Sequence, residues 1–189
     1  MKIVKNLLVS LALAASVAIP AFATVTQTTA PAEGHSYGGW NHVEISRVDL
    51  AAGTNTIFAL SSFGTTWDQG WGGQDPWSNQ VGVALYDNGN QVAWQHVGGA
   101  VHQVTSFSYT ATAADLLNFN NVLGALNNNL THNLSLRMMM APLGYGGWQL
   151  HVNNAAFSVT SGQVPEPGSL ALFGLALIGA CVARRKFAK

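Results

Sequence analysis

Charged residues and cysteine are both scarce in this chain of 189 residues, and each shortage excludes a class of protein. Six of the eight lysines and arginines lie in the two terminal segments, so the middle has only Arg47 and Arg137 against seven carboxylates. A formal net charge of −5 leaves the middle without a basic patch for nucleic acid or anionic lipid. The single cysteine, Cys181, lies near the C-terminus, so the middle can form no disulfide and depends on packing.

Motifs for metal binding are also missing from the sequence. There is no HExxH pattern, no paired Cys/His spacing and no EF-hand loop. We therefore expect no enzyme activity, no cofactor and no metal. Two alternatives stay open. Asp68 and Asp75 with backbone carbonyls would suit calcium, which accepts irregular oxygen cages. A glycan hydrolase would need two carboxylates at a defined separation, for which Asp68 with Asp75 or Asp87 is the candidate pair.

Alternation of apolar and polar residues dominates the middle of the chain and predicts β-strands. The clearest case is a hairpin in which strand 81–86 is followed by the turn sequence 87–90 and a return strand. On that return strand Val92, Trp94 and His96 are predicted to share one face. Helical spacing occurs once, after Thr112, which we expect to be an N-cap with Asp115 as its capping-box partner. The pattern predicts an all-β fold, an antiparallel β-sandwich with one short helix, and a jelly-roll arrangement fits as well.

The stretch from Phe63 to Trp77 holds three tryptophans, four glycines and two aspartates in fifteen residues, a composition that predicts a loop rather than a strand. Exposed aromatic rings stack on the apolar faces of sugars, and amides or carboxylates beside them bind hydroxyl groups. The alternative is that the tryptophans fold back as a small core over one edge of the sandwich. The glycan-contacting set predicted here is Trp67, Asp68, Gln69, Trp71, Gln74, Asp75 and Trp77.

The first 23 residues have the form of a secretory signal peptide, with a basic start, an apolar run and small residues before the cleavage site. Ala21 and Ala23 occupy the small-residue positions, so we predict cleavage before Thr24 by signal peptidase after delivery to the general secretion machinery. Residues 24–34 are rich in Thr, Ala and Pro and are predicted to be a flexible lead-in. The β-sandwich is then expected over residues 35–161.

The C-terminal segment, residues 162–189, combines three features in order. A short motif is followed by an uncharged apolar run, 170–183, and a basic end, 184–189. As a helix the run spans about 21 Å, which is short of the roughly 30 Å hydrocarbon core unless long basic side chains snorkel. The basic end should stay in the cytoplasm, which places the preceding domain outside. The motif is Val164, Pro165, Glu166 and Pro167, and the basic stop is Arg184, Arg185 and Lys186.

These three features resemble the PEP-CTERM sorting domain of Gram-negative bacteria. The resemblance implies recognition by an exosortase, a membrane-embedded cysteine protease. It also implies transient anchoring in the inner membrane through the helix 170–183, followed by delivery to the cell surface or extracellular matrix. Family members usually occur in species that make exopolysaccharide, and their N-terminal domains differ widely, so the resemblance assigns no chemistry to the middle domain.

Together these observations predict an exported, non-enzymatic surface or matrix protein whose β-sandwich contacts exopolysaccharide. A structural or protein-binding module without glycan affinity is the first alternative, and it requires the tryptophans to be buried. A glycan-active hydrolase is the second, and it requires two carboxylates that face each other across a cleft.

Overall fold

The computed structural model of the protein describes residues 24–37, 42–68, 79–126, 131–142 and 149–163, together with Gly174. The chain divides into two compact units, one from Thr24 to Gln163 and one formed by Met1–Ala23 with Val164–Lys189. The predicted signal peptide and, apart from Gly174, the predicted apolar helix lie outside the described residues and stay predictions. Within the described ranges, no helix is long and apolar enough to cross a membrane.

The first unit is built from two antiparallel sheets and one helix, which confirms the predicted β-sandwich. In the five-stranded sheet the order is β1-β9-β4-β7, and β2 pairs with the first half of β9 beside β1. The four-stranded sheet has the order β3-β8-β5-β6. The elements are β1 Thr24–Thr28, β2 Ala32–Tyr37, β3 Val43–Asp49, β4 Thr56–Asp68, β5 Asn79–Asp87, β6 Asn90–Gly99, β7 Thr105–Thr110, α1 Ala113–Leu126, β8 Leu134–Pro142 and β9 Gln149–Gly162.

Side chains from the inner faces of both sheets form one hydrophobic core. Alternate residues of each strand point inward, as the period-2 pattern requires, because successive side chains of a strand leave opposite faces. The fully buried members include Val81, Val83, Leu85, Leu136, Met138 and Met140 from the four-stranded sheet and Leu60, Leu150, Val152, Phe157 and Val159 from the five-stranded sheet.

The segment predicted as a flexible lead-in, 24–34, is instead part of the sandwich. Strand β1 pairs residue by residue with the end of β9, from Thr24 opposite Gly162 to Thr28 opposite Ser158, and β2 pairs with the start of β9. Main-chain hydrogen bonds to β9 are what order this polar, threonine-rich sequence, since most of its side chains are exposed. The composition of this segment predicted disorder because it has few apolar residues to bury. Composition does not reveal that a segment can be ordered by main-chain pairing with a neighbouring strand.

The predicted hairpin is confirmed, with one correction to its faces. Asn88 and Gly89 form the turn with positive φ angles of 48° and 85°, which explains why this position carries Asn-Gly. The β5–β6 ladder shifts register opposite Tyr86, so Val92 packs against the core. Trp94 instead lies on the outer face of the sheet. The expectation that these two residues share a face was wrong because the register shift reverses the alternation.

Helix α1 begins as predicted and joins the core. The Oδ2 atom of Asp115 accepts hydrogen bonds from the backbone N–H of Thr112 at 2.8 Å and from its hydroxyl at 2.8 Å, which completes the capping box. Phe119 and Leu123 are buried among the core residues of both sheets. The helix thus packs on the sandwich beside β4 and β6. The side chain of Asn120 on this helix also forms hydrogen bonds with the backbone of β4.

Candidate functional site

The last residues of β4 correct the prediction of a loop from Phe63 to Trp77. From Phe63 to Asp68 exposed or partly exposed residues alternate with buried ones, which is the pattern of a half-buried strand. Gly64 lies within this strand, and glycine is needed there because a Cβ would lie 2.8 Å from the ring of Phe107. The predicted contacts Gln69, Trp71, Gln74, Asp75 and Trp77 lie outside the described residues and stay predictions.

Asp68 faces inward and joins the ends of two strands. Its side chain is 3% exposed, and its Oδ2 atom accepts a 2.7 Å hydrogen bond from Nδ2 of Asn79 at the start of β5. Its Oδ1 atom lies 2.7 Å from Nδ1 of His102, and its backbone N–H donates to the carbonyl of Val101. Both carboxylate oxygens therefore have a structural role, because they connect the end of β4 to the start of β5 and to the segment between β6 and β7. The side chain does not project toward a ligand on the surface.

The other aspartate of the hydrolase alternative, Asp87, lies at the far end of β5. That strand starts at Asn79, beside Asp68, and its nine residues span about 26 Å. A glycosidase needs its two carboxyl groups within about 5 to 9.5 Å of each other. Asp68 and Asp87 are therefore not a catalytic pair. Asp87 instead pairs with His132, with 2.8 Å between Oδ2 and Nδ1.

The sequence also contains a motif associated with serine hydrolases, but the serine of this motif lies where it cannot act as a nucleophile. Residues 34–38 read Gly-His-Ser-Tyr-Gly, the Gly-x-Ser-x-Gly spacing of a nucleophile elbow. In an active elbow the serine is exposed on a sharp turn between a strand and a helix. Ser36 lies within the strand β2 and is 4% exposed. Among the described residues, no group of three or more His, Cys, Asp or Glu side chains is placed to hold a metal ion.

Trp67 belongs to a stack of three rings that crosses the outer face of the five-stranded sheet. Its indole lies parallel to the imidazole of His151, with 3.9 Å between centroids and 4° between planes. The imidazole of His35 stacks on His151 from the other side at 3.7 Å. The three residues are cross-strand neighbours on β4, β9 and β2. Burial lowers the pKa of the His151 imidazole, and the charge of His35 lowers it further, so His151 is neutral at neutral pH.

Two phenylalanines continue this aromatic surface along β4. Phe63 is 47% exposed and lies four residues before Trp67, about 13 Å away along the strand. Phe58 is 39% exposed at a bulge, where the β4–β9 register shifts and directs it outward. We call Phe58, Phe63 and Trp67 the aromatic row. It runs about 30 Å along one strand.

Hydroxyl groups flank the aromatic row on both sides. On β7, Ser106 lies opposite Thr65 and Ser108 lies opposite Phe63, and both are exposed. On the other side, β9 and β1 present further serines and threonines. Along β4, β7 and β9, all of which the structure describes, the one Lys, Arg, Asp or Glu is the buried Asp68. Over these three strands the outer face is thus aromatic, rich in hydroxyls and without Lys, Arg, Asp or Glu side chains.

The outer face of the four-stranded sheet is different in character. Trp94 lies over Gly82 and packs with Ala84, Tyr86 and Met139, which are all buried. The guanidinium of Arg137 covers the Tyr86 ring at 4.0 Å and pairs with Glu44 at 3.1 Å. Trp94 is therefore part of a packing cluster on its own sheet, whereas Trp67 belongs to the aromatic row.

Sequence reasoning selected Trp67 but missed Phe58, Phe63, His151 and the serines of β7. The signal was present, because Phe63, Thr65 and Trp67 alternate with smaller or inward residues as a strand requires. The high glycine and tryptophan content beyond Trp67 obscured that alternation. The partnership of Trp67 with His151 was beyond sequence reasoning, since it depends on which strands are neighbours.

Comparison with known proteins identifies the C-terminal segment. The described part of the chain is an antiparallel β-sandwich, and residues 163–186 match the family model described as the PEP-CTERM protein-sorting motif. This match confirms the resemblance of the tail to PEP-CTERM proteins and leaves the middle domain unassigned. The motif supports export through the secretion pathway, transient membrane anchoring and processing by an exosortase.

The chain is similar at low identity to several solved structures, and no curated protein sequence matches it. The VP2 subviral particle of infectious bursal disease virus is 12% identical with a TM-score of 0.39, over 72% of this chain and 32% of that one. Dimeric latent PorU from Porphyromonas gingivalis is 12% identical with a TM-score of 0.34, over 78% of this chain and 13% of that one. The chain thus spans about a third or less of these structures, and such likeness carries no argument about function.

Proposed function

We propose that this exported, exosortase-sorted protein is a non-enzymatic surface or matrix module that binds neutral exopolysaccharide through the outer face of its five-stranded sheet. The aromatic row is the observation that carries this proposal. Two of its members, Phe58 and Phe63, are large apolar side chains left open to solvent at 39% and 47% exposure. Large apolar side chains exposed along one strand of an exported domain favour a binding role.

The absence of charge decides which polymer suits this surface. An anionic polysaccharide would need cationic side chains and a cationic one would need carboxylates, and the outer face formed by β4, β7 and β9 presents no Lys, Arg, Asp or Glu. Aromatic rings offer flat apolar surface to sugar rings, and serine or threonine hydroxyls both donate and accept hydrogen bonds with sugar hydroxyls. Neutral glycan is therefore the ligand class that the chemistry of this face favours.

Affinity electrophoresis of the purified full chain, in gels with and without the host's own exopolysaccharide, tests this function. Phe63→Ala and Trp67→Ala should each weaken binding about tenfold, which corresponds to about 1.4 kcal/mol. Leu117→Ala is the matched control, because Leu117 is a 58% exposed apolar residue that lies on α1 and is not part of the aromatic row. Circular dichroism checks that each variant is folded.

Two results would contradict the proposal. Equal mobility of the wild-type chain in both gels, at millimolar sugar, would exclude glycan binding and favour a structural or protein-binding module. Retardation that Phe63→Ala and Trp67→Ala leave unchanged would place any binding elsewhere on the protein.

A further inference from the structure

The two sides of the aromatic row are not equivalent, and the difference indicates where a ligand lies. We propose, on the basis of the function proposed above, that an extended glycan chain lies over β7, parallel to β4, with its sugar rings against the β7-facing sides of Phe63 and Trp67. The ligand class is then a linear, uncharged polymer bound along its length rather than at its end.

The first argument is the stacking of Trp67. His151 covers one face of its indole at 3.9 Å, and His151 lies on β9. Strands β9 and β7 flank β4 on opposite sides, so the second indole face is turned toward β7. A sugar ring that stacks on Trp67 must therefore approach from the β7 side.

The second argument is the state of the hydroxyl groups. On the β1 and β9 side they bind one another, with 2.9 Å between Thr26 and Thr160 and 2.9 Å from Thr28 to Ser158. On the β7 side, the Ser106 and Ser108 hydroxyls form no hydrogen bond with any other residue that the structure describes. These two solvent-exposed hydroxyls thus lie on the same side as the uncovered indole face, where they can bind sugar hydroxyls in place of water.

The third argument concerns direction. The rings of Trp67 and His151 are parallel and are displaced from each other across the strands, so the indole plane contains the strand direction. A pyranose ring stacked on that plane can therefore have its long axis along β4, the orientation in which a longer chain also reaches Phe63. Phe63, about 13 Å further along the same strand, then forms a second contact for the same chain. No single sugar residue can reach both rings, so binding should depend on chain length.

The experiment compares two edge strands of the same sheet in the full chain. The probe is the host's exopolysaccharide cut by partial acid hydrolysis and separated by size, and the affinity is measured by isothermal titration calorimetry. The double variant S106A/S108A should bind the longer fragments about tenfold more weakly, since one neutral hydrogen bond is worth about a three- to fivefold change in affinity. The matched double variant T26A/T28A, on the other edge strand, should bind within about twofold of wild type. Affinity should rise from disaccharide to hexasaccharide fragments.

The outcomes separate this inference from the function on which it rests. If wild type binds no fragment and no intact polymer, the proposed function itself fails. If Trp67→Ala abolishes binding but S106A/S108A has no effect, the glycan function stands and the β7 placement is overturned. A T26A/T28A defect as large as that of S106A/S108A, or equal affinity for short and long fragments, would also overturn the placement.

Discussion

Asn120 on helix α1 substitutes for a missing strand neighbour of β4, and its removal is the clearest test of how the sandwich closes. Pairing of β7 with β4 ends at Ser61, and beyond it the helix takes the place of β7. The backbone N–H of Ile57 donates to Oδ1 of Asn120 at 2.7 Å, and Nδ2 of Asn120 donates to the Ile57 carbonyl at 3.0 Å. Ile57 is buried, so its backbone groups have no ready access to water.

Asn120→Ala removes both hydrogen bonds, each worth about 1 kcal/mol net. Alanine is also a better helix former than asparagine by about 0.6 kcal/mol, which partly offsets the loss. Asn121→Ala has the same gain and is exposed, so it is the matched control. We expect Asn120→Ala to have a free energy of unfolding about 2 kcal/mol below that of Asn121→Ala, measured by urea denaturation followed by circular dichroism. A difference under about 0.5 kcal/mol would refute the reasoning.

Four further predictions concern other contacts of the same unit. Thr112→Ala removes the N-cap of α1 and should lower the free energy of unfolding by about 1 kcal/mol in urea titrations, and an unchanged midpoint would contradict the capping role. The pKa of His151 is lowered, so the unfolded chain binds its proton more readily, and stability should fall as pH drops below about 6.5. In His35→Asn the pKa of His151 should move upward in an NMR titration, though not fully, because burial is the larger cause. Gly82→Ala would place a methyl group inside the Trp94 indole, so we expect a loss of about 1–3 kcal/mol and a changed near-ultraviolet circular dichroism spectrum.

The strands and the helix were predictable where a local rule acts strongly. The alternation in 81–85 and 134–140 predicted inward faces that the structure confirms, because one side of each strand must be buried. Thr112 and Asp115 predicted the helix start, because the capping box joins residues three apart. Such features depend on neighbours in sequence, so composition and spacing suffice.

Predictions failed where a distant partner determined the outcome. Strand β1 has the composition of a flexible segment, yet β9 orders it through main-chain pairing. The faces of β6 were misassigned because a register shift against β5 is invisible in the β6 sequence alone. The end of β4 was taken for a loop because local composition outweighed an alternation that β7 and β9 stabilise.

By itself, the sequence determined that this chain carries a sorting tail and a low-charge, strand-rich middle, because targeting signals and hydrophobic periodicity are local properties of the chain. Only the tertiary structure decided that Asp68 is buried, that His151 covers one face of Trp67, and that the exposed hydroxyls of Ser106 and Ser108 bind no other residue that the structure describes. Those properties depend on strand order, which brings residues more than 80 positions apart, such as Trp67 and His151, into contact.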